Sequence, residues 1–485
     1  MCSAPSSGAT SRRDGRPLGS PALNVALSPE SEERSQRGAR SPAVRQALWL
    51  FVGLLLVYSA NGREISASDT VANQLLPVAV WRGDGLVLNR FASSERDQYY
   101  VRKHGDDWIS RYPVMPALLA LPVTGLQLLV LDRVAPGWGG SRPLAYWYMG
   151  MMSKNASALL AALTGVLLYG LLLRLGLGDV ALPATLGTAL GSNLWVVGSQ
   201  APWLHGSVAF FLTLSLLLLV PGPSARWRLA ASGLAMAGAV CARPTSVVFA
   251  LPLALWAVAA LRARSLWLLV PAGAVGGLML AYNWTVFGTL AGGLAEIEAL
   301  GHAKHAVEGS VTDEPLVSFA GTLLSPSRGL FVYTPWVVLV LALLPRTWAR
   351  VARSGPLRAV LLGLLPFFAI VGSYSVWWGG WSFGPRYWTE AMPLFGVLLG
   401  FSVAWAREHS RVWLAGLGLS VGLSIGIQAV GAFYYPSSWN EHPAPIDLNH
   451  ERLWDWKDTE LHRSLLEGPH WPPPVYGVIQ GEGEE

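Results

Sequence analysis

The sequence predicts an all-α, polytopic helical membrane protein with about eleven to thirteen transmembrane helices. Two observations carry this. Apolar runs of near-spanning length recur along most of the chain, separated by short connections that bear Arg or Pro. Only 13% of the residues are charged while 52% are hydrophobic, against about 25% charge in an ordinary soluble domain.

Residues 1–44 are rich in Ser, Pro, Gly and Arg and nearly free of large apolar side chains, so they read as a disordered cytoplasmic tail. The transmembrane domain then covers 45–430. Its candidate spans fall near 46–60, 113–131, 156–173, 180–198, 206–221, 228–242, 245–261, 266–285, 329–345, 358–376, 390–405 and 412–430. The arginine tail (Arg34, Arg37, Arg40, Arg45) and the basic connections 225–228, 262–264, 346–358 and 407–411 are cytoplasmic by the positive-inside rule. That places three large segments outside: a long first loop, 61–112; a second loop, 286–328; and a polar C-terminal tail, 431–485. In the first loop, the apolar spacing from Val71 to Val80 predicts a juxtamembrane helix over 70–81. One stretch breaks the parity. With the first span running outward and 113–131 returning, Arg174 would end outside, whereas the later anchors need it inside. Either 113–155 crosses twice, or part of it lies in the interface or re-enters, with 143–150 as an interfacial piece.

Net charge is +5, but the basic residues are spread through loops with no basic stripe, so nucleic acid is excluded as a partner and the lipid bilayer is implied. Two cysteines, Cys2 and Cys241, make no disulfide framework, and Met1-Cys2 lacks the apolar stretch of a lipoprotein signal. Histidines and acids cluster over 296–314 without the spacing of a known metal motif; a divalent cation there stays open, metal dependence is unknown, and no other cofactor is implied. Many of the twenty-three tryptophans fall at predicted span ends, as in an interfacial belt: Trp195, Trp203, Trp227, Trp336 and Trp348 among them.

Ionisable residues at membrane depth are costly and tend to be functional. Asp69 emerges on the outer face, just past the first span, and reads either as a base toward a lipid-linked substrate or as the N-cap of the 70–81 helix. Four cations are predicted on the same face: His205, Arg243, Arg328 and Arg386. A carboxylate opposite a ring of cations suits a lipid phosphate, which arginine grips in a fork. The bland readings are a capped Pro turn for Arg243, a snorkelling Arg328 and a satisfied interfacial His205. The stretch from Trp377 to Tyr387 packs three glycines, three tryptophans and Pro385-Arg386-Tyr387 into eleven residues. It makes a poor spanning helix and suits an irregular loop in which Trp377, Trp378, Trp381 and Tyr387 contact sugar or prenyl chain.

Several segments together resemble bacterial multi-pass glycosyltransferases of the GT-C superfamily, distant relatives of the protein O-mannosyltransferases and the lipid A aminoarabinose transferases. These are Ser68-Asp69-Thr70, Arg111-Tyr112-Pro113, Gln200 to Gly206, Arg243-Pro244-Thr245, Tyr282-Asn283, Ser325 to Leu330, Trp377 to Tyr387, and Leu453-Trp454-Asp455-Trp456. The resemblance spans residues 45–465. It implies a GT-C-like fold in a bacterial cytoplasmic membrane, with the N-terminus cytoplasmic and the active site extracytoplasmic. It also implies an inverting transfer from a polyprenyl-phosphate sugar to a glycan, lipid or protein acceptor, with Asp69 as catalytic base. Arg243, Arg328, Arg386 and His205 would bind the donor, and Glu64, Arg111, Tyr112 and Glu390 would support them. The chain departs from the group's pattern in having no second acid beside Asp69 and none across Leu86 to Phe91. Two other classes remain open: a lipid-linked saccharide transporter or flippase, and a non-catalytic scaffold of an envelope complex.

Overall fold

The computed structural model describes residues 29–220, 222, 225–305 and 307–470. The ends of the expected tails, 1–28 and 471–485, lie outside the described residues. The chain divides into two units, Met1–Gln46 and Ala47–Glu485. The first helix, Pro29–Ser59, begins upstream of the expected span. Its start therefore takes in 29–44, which the sequence assigned to a disordered tail; Glu, Arg, Gln and Ala there favour helix.

The second unit is almost entirely helical. The only strands among its described residues are a small antiparallel hairpin, Val101–His104 with Asp107–Ser110. Among the described residues, seven segments are long and apolar enough to span a bilayer, fewer than the eleven to thirteen read from the sequence. The difference has two causes: the expected 245–261 and 266–285 spans fall in one continuous segment, Pro244–Phe287, and several apolar runs end early. Leu204–Leu219 has sixteen residues, Arg226–Ala242 seventeen, and Gly178–Leu190 thirteen before it gives way to a π-helical turn at Leu194–Gly198.

Packing ties the 113–155 stretch to the first loop. The Met115–Val134 helix runs beside the Ser68–Trp81 helix, with Gly125 against the Trp81 ring; a Cβ there would fall 2.4 Å from it. One end abuts Tyr112, and the other is tied back by Arg82, which pairs with Asp132 at 2.6 Å. Both ends of this helix therefore belong to the 61–112 segment. The Arg142–Arg174 helix also starts there, where Arg142 and Tyr146 meet Glu95. It then runs antiparallel to the first span, Lys154 beside Tyr58 and Gly165 against Leu54. The Arg174 end of that helix therefore lies away from the 61–112 segment.

One large apolar core joins the long helices, and a second joins the 61–112 segment to the helices at 115–152. A third, small core holds the tail against the 377–381 loop through Trp377, Trp378, Trp439, Ile446 and Leu453. The expected tryptophan belt is only partly one. Trp227 is exposed, but Trp195, Trp203 and Trp336 are buried in the protein, where their large apolar faces stabilise packing.

Candidate functional site

Asp69 is the second residue of the Ser68–Trp81 helix. Ala67 is the N-cap, and no side chain caps that end. The carboxylate is therefore not spent on helix amides, and the capping role is not the one it plays. Its Oδ2 meets the Arg386 guanidinium at 2.6 Å, and its Oδ1 accepts from the Tyr99 hydroxyl at 2.5 Å and the Tyr112 hydroxyl at 2.8 Å. About a quarter of the side chain, 26%, stays accessible. Burial works to raise the Asp69 carboxyl. The Arg386 charge and the tyrosine and arginine hydrogen bonds outweigh it and bring it down to about 2.

The neighbouring loop is built to hold these tyrosines. Arg111 turns away from Asp69; its Nε donates to Glu296 at 2.9 Å and its fork donates to the Tyr99 and Val101 carbonyls. Arg102 joins the same Glu296. Arg111 is thus a positioning residue for Tyr99, and Tyr112, its neighbour, touches Asp69 directly.

Arg386 ends the irregular loop within Trp377 to Tyr387, the stretch that the sequence singled out, and opens the short Arg386–Ala391 helix. Gly379 and Gly380 have φ of 75° and 67°, a region open to glycine and strained for other residues. A Cβ on Gly379 would come within 3.1 Å of Arg386 Nε. The guanidinium lies over the Trp203 ring at 4.8 Å, a favourable cation–π placement.

Beside this pair lies a second. Arg243 meets Glu390 at 2.9 Å, and His205 Nδ1 lies 3.1 Å from the same Glu390 oxygen. Arg243 is the extended residue that ends the Arg226–Ala242 helix, which aims its side chain back across the bundle. The Tyr387 ring stands between the pairs, 5.3 Å from the Arg243 guanidinium and 5.6 Å from that of Arg386. Asp69, His205, Arg243, Arg386, Tyr387, Glu390 and Tyr112 thus form one site from five separate segments.

The electrostatics differ from the sequence expectation of one carboxylate facing a ring of cations. Each arginine has its own carboxylate: Arg386 with Asp69, Arg243 with Glu390, Arg328 with Glu460. Buried cations are too costly to leave unpaired, so the fold supplies a counterion for each. Arg328 lies outside the site. It is 1% exposed, pairs with Glu460 at 2.7 Å and donates to Asn440 at 2.8 Å and to the Gly380 carbonyl at 3.3 Å. It neither snorkels nor faces Asp69; it locks the tail onto the 377–384 loop.

The tryptophans of that loop are likewise spent on the tail. Trp377 packs on Trp454, and Trp378 on His450 at 4.4 Å between ring centres. Trp381 Nε1 donates to Asp447 at 3.0 Å, an acid that also meets His305 at 2.8 Å. Trp377 and Trp378 are buried, so no free face is offered to a sugar. Glu64 stands apart from Asp69, accepts from Gln74 and lies over Gly150. Burial raises its carboxyl.

Sequence reading missed Lys154, Tyr99, Trp203 and Glu460. Lys154 carried the clearest signal, as the one lysine inside the long apolar helix that ends at Arg174. It is fully buried, and its Nζ donates to Asn61 at 2.7 Å, Gln200 at 2.5 Å and the Tyr58 carbonyl at 3.1 Å. It ties the start of the first loop to the segment that carries Trp203 and His205. Among the described residues no group of three His, Cys, Asp or Glu side chains converges as a metal site.

No protein-family model matches the chain, and neither does any curated protein or solved structure.

Proposed function

We propose that this protein is an inverting membrane glycosyltransferase of the GT-C type. It moves a sugar from a polyprenyl-phosphate donor to an acceptor at the extracytoplasmic face of a bacterial cytoplasmic membrane. The observation that carries this reading is the Asp69–Arg386 pair: a partly accessible carboxylate, free of capping duty, held by an arginine that phosphate could take instead.

A carboxyl at about 2 is a weak base at neutral pH. Donor binding changes that. A lipid phosphate draws the Arg386 fork to itself, since guanidinium–phosphate pairing is bidentate. Asp69 then loses its counterion while staying largely buried, and burial drives its carboxyl upward toward the range of a working base. The acceptor hydroxyl gives its proton to Asp69 as its oxygen attacks the sugar's anomeric carbon, and the bond to the phosphate oxygen breaks. Arg386 offsets the charge that grows on the leaving phosphate. Arg243, fixed by Glu390 against Tyr387, is the second cation within reach. Arg328 and the three loop tryptophans leave the donor site in this reading; they hold the loop that presents Arg386.

The test is release of polyprenyl phosphate by the purified protein in vesicles, from a panel of polyprenyl-phosphate sugars with an envelope extract as acceptor source. Donor-dependent release that Asp69→Asn abolishes supports transfer. Movement of intact donor across the vesicle without release indicates a transporter. Neither activity, with donor still bound, indicates a scaffold.

A further inference from the structure

The helices that build the site carry a second group of charges at their other ends. The Met392–His409 helix starts beside Glu390 and ends at Arg407 and Glu408, about 27 Å away at 1.5 Å per residue. There it meets Arg174 at the end of the Arg142–Arg174 helix, Asp179 in the first turn of the Gly178–Leu190 helix, and Arg350 and Arg353. These residues line a cavity of about 650 Å³, within the range of small-ligand sites.

The charges around it do not cancel. Glu408 pairs with Arg350 at 2.7 Å, and Arg407 donates to the Asp179 carbonyl at 3.2 Å. Arg174 spends one nitrogen on the Leu217 carbonyl. Arg353 is exposed and makes no ion pair or side-chain hydrogen bond among the described residues. Four guanidinium groups therefore face one cavity with two carboxylates, one of them already paired. Phe401, Leu175 and Leu177 form an apolar wall beside them. This is the arginine-rich end, which the positive-inside rule assigns to the cytoplasm.

We propose that this cavity binds the phosphate of an anionic phospholipid, with Arg353 and Arg174 as the gripping forks and Arg407 beside them. Guanidinium matches phosphate oxygens in two-pronged geometry and is weakly hydrated, so it works at a bilayer surface. Basic cavities between helices at this level recognise anionic headgroups. The apolar wall gives the first acyl carbons a place to lie, which a free phosphate does not need. The site is independent of the transfer chemistry proposed above.

The test is native mass spectrometry of the full-length protein in detergent, with phosphatidylglycerol, phosphatidylcholine of the same chains, or inorganic phosphate added. Phosphatidylglycerol should be retained about ten-fold better than phosphatidylcholine. Arg174→Gln with Arg353→Gln should erase that preference, while Glu408→Gln, which frees Arg350, should raise it. Thermal unfolding without lipid checks that each variant is folded. Equal retention of the two lipids, or a preference that survives the double change in a folded protein, overturns the proposal. Inorganic phosphate that binds alone and displaces phosphatidylglycerol would overturn the lipid as the source and leave phosphate as the ligand.

Discussion

Asp69 and Arg386 lie 2.6 Å apart, although one comes from the first loop and the other from the last third of the chain. The pair joins a carboxylate that does not cap its own helix to a guanidinium stacked on Trp203. The proposed chemistry turns on that pair being exchangeable. Asp69→Asn should abolish transfer, a loss of at least about 10²–10⁴-fold for a general base, and leave polyprenyl-phosphate binding intact or tighter, because Arg386 is released. Single-turnover assays with labelled donor check this. An active Asn variant would remove Asp69 from the chemistry.

The pH dependence of stability has a definite sign. The Asp69 carboxyl stands at about 2 in the fold and at 3.8 ordinarily. Its stabilisation, about 2 kcal/mol by linkage, is fully present above the ordinary value and is lost as pH falls through about 2. Arg386→Gln removes the counterion and moves the carboxyl up from about 2, against the Tyr99 and Tyr112 hydrogen bonds that remain. The variant is then destabilised most at neutral pH and less once Asp69 is protonated, so its Tm deficit relative to the wild type should shrink as pH falls toward about 2. A deficit that does not change with pH would mean that Asp69 is not held by Arg386.

How much of this was legible in the sequence follows from which interactions are local. The helical membrane class and the 70–81 helix rest on periodicity and composition, and Ser68–Trp81 falls where the apolar spacing put it. Asp69, His205, Arg243 and Arg386 stood out because charge is rare at such depth, and the fold gathers all four. What sequence does not carry is partnership. Arg328 and Arg386 look alike as isolated cations beside glycines, but one meets Glu460 in the tail and the other Asp69 in the first loop. The tryptophans misled for the same reason: a large aromatic face reads alike whether a sugar or the chain's own Trp454 lies on it. Nor does periodicity announce that Gly125 lets the Met115–Val134 helix lie against Trp81.

Glu390 gives a stability test of the inner pair. It is fully buried and holds Arg243 and His205. Glu390→Gln leaves a buried guanidinium without its counterion and should cost about 3–5 kcal/mol. Adding Arg243→Gln removes the orphaned charge and should recover part of that loss. Thermal unfolding of both variants in detergent checks it. If the double variant is less stable than the sum of the two single losses predicts, the pair is not what holds this corner.

Orientation is tested with single cysteines in a Cys2→Ser, Cys241→Ser background. Asp106, in the hairpin turn, and Glu441, in the tail, are exposed and belong to the site end of the bundle; Arg411 is exposed at the arginine-rich end. Cysteines at 106 and 441 should react with an impermeant thiol reagent in spheroplasts, and one at 411 only after lysis. The opposite pattern would put the site inside the cell and end the polyprenyl-sugar reading for an external acceptor.

Arg386 and Arg328 separate ligand binding from scaffolding most directly. Arg328 is buried, Arg386 is partly buried, and both have a carboxylate partner. Only the Arg386 pair is open to an incoming group, since Arg328 and Glu460 are sealed at 1% and 0%. Arg386→Ala should weaken polyprenyl-phosphate binding by about ten- to a hundred-fold, and Arg386→Lys should recover only part of it, because an ammonium has no fork. Arg328→Ala should leave that affinity within about two-fold and instead release the tail, seen as faster proteolytic cutting between 436 and 458, where Asn440 loses its partner. Adding Arg243→Ala to Arg386→Ala should cost less than the sum of the single losses if both arginines hold one phosphate. Equal losses of affinity at 386 and 328 would mean that the loop is disturbed as a whole, and the phosphate would then have to be sought away from Asp69.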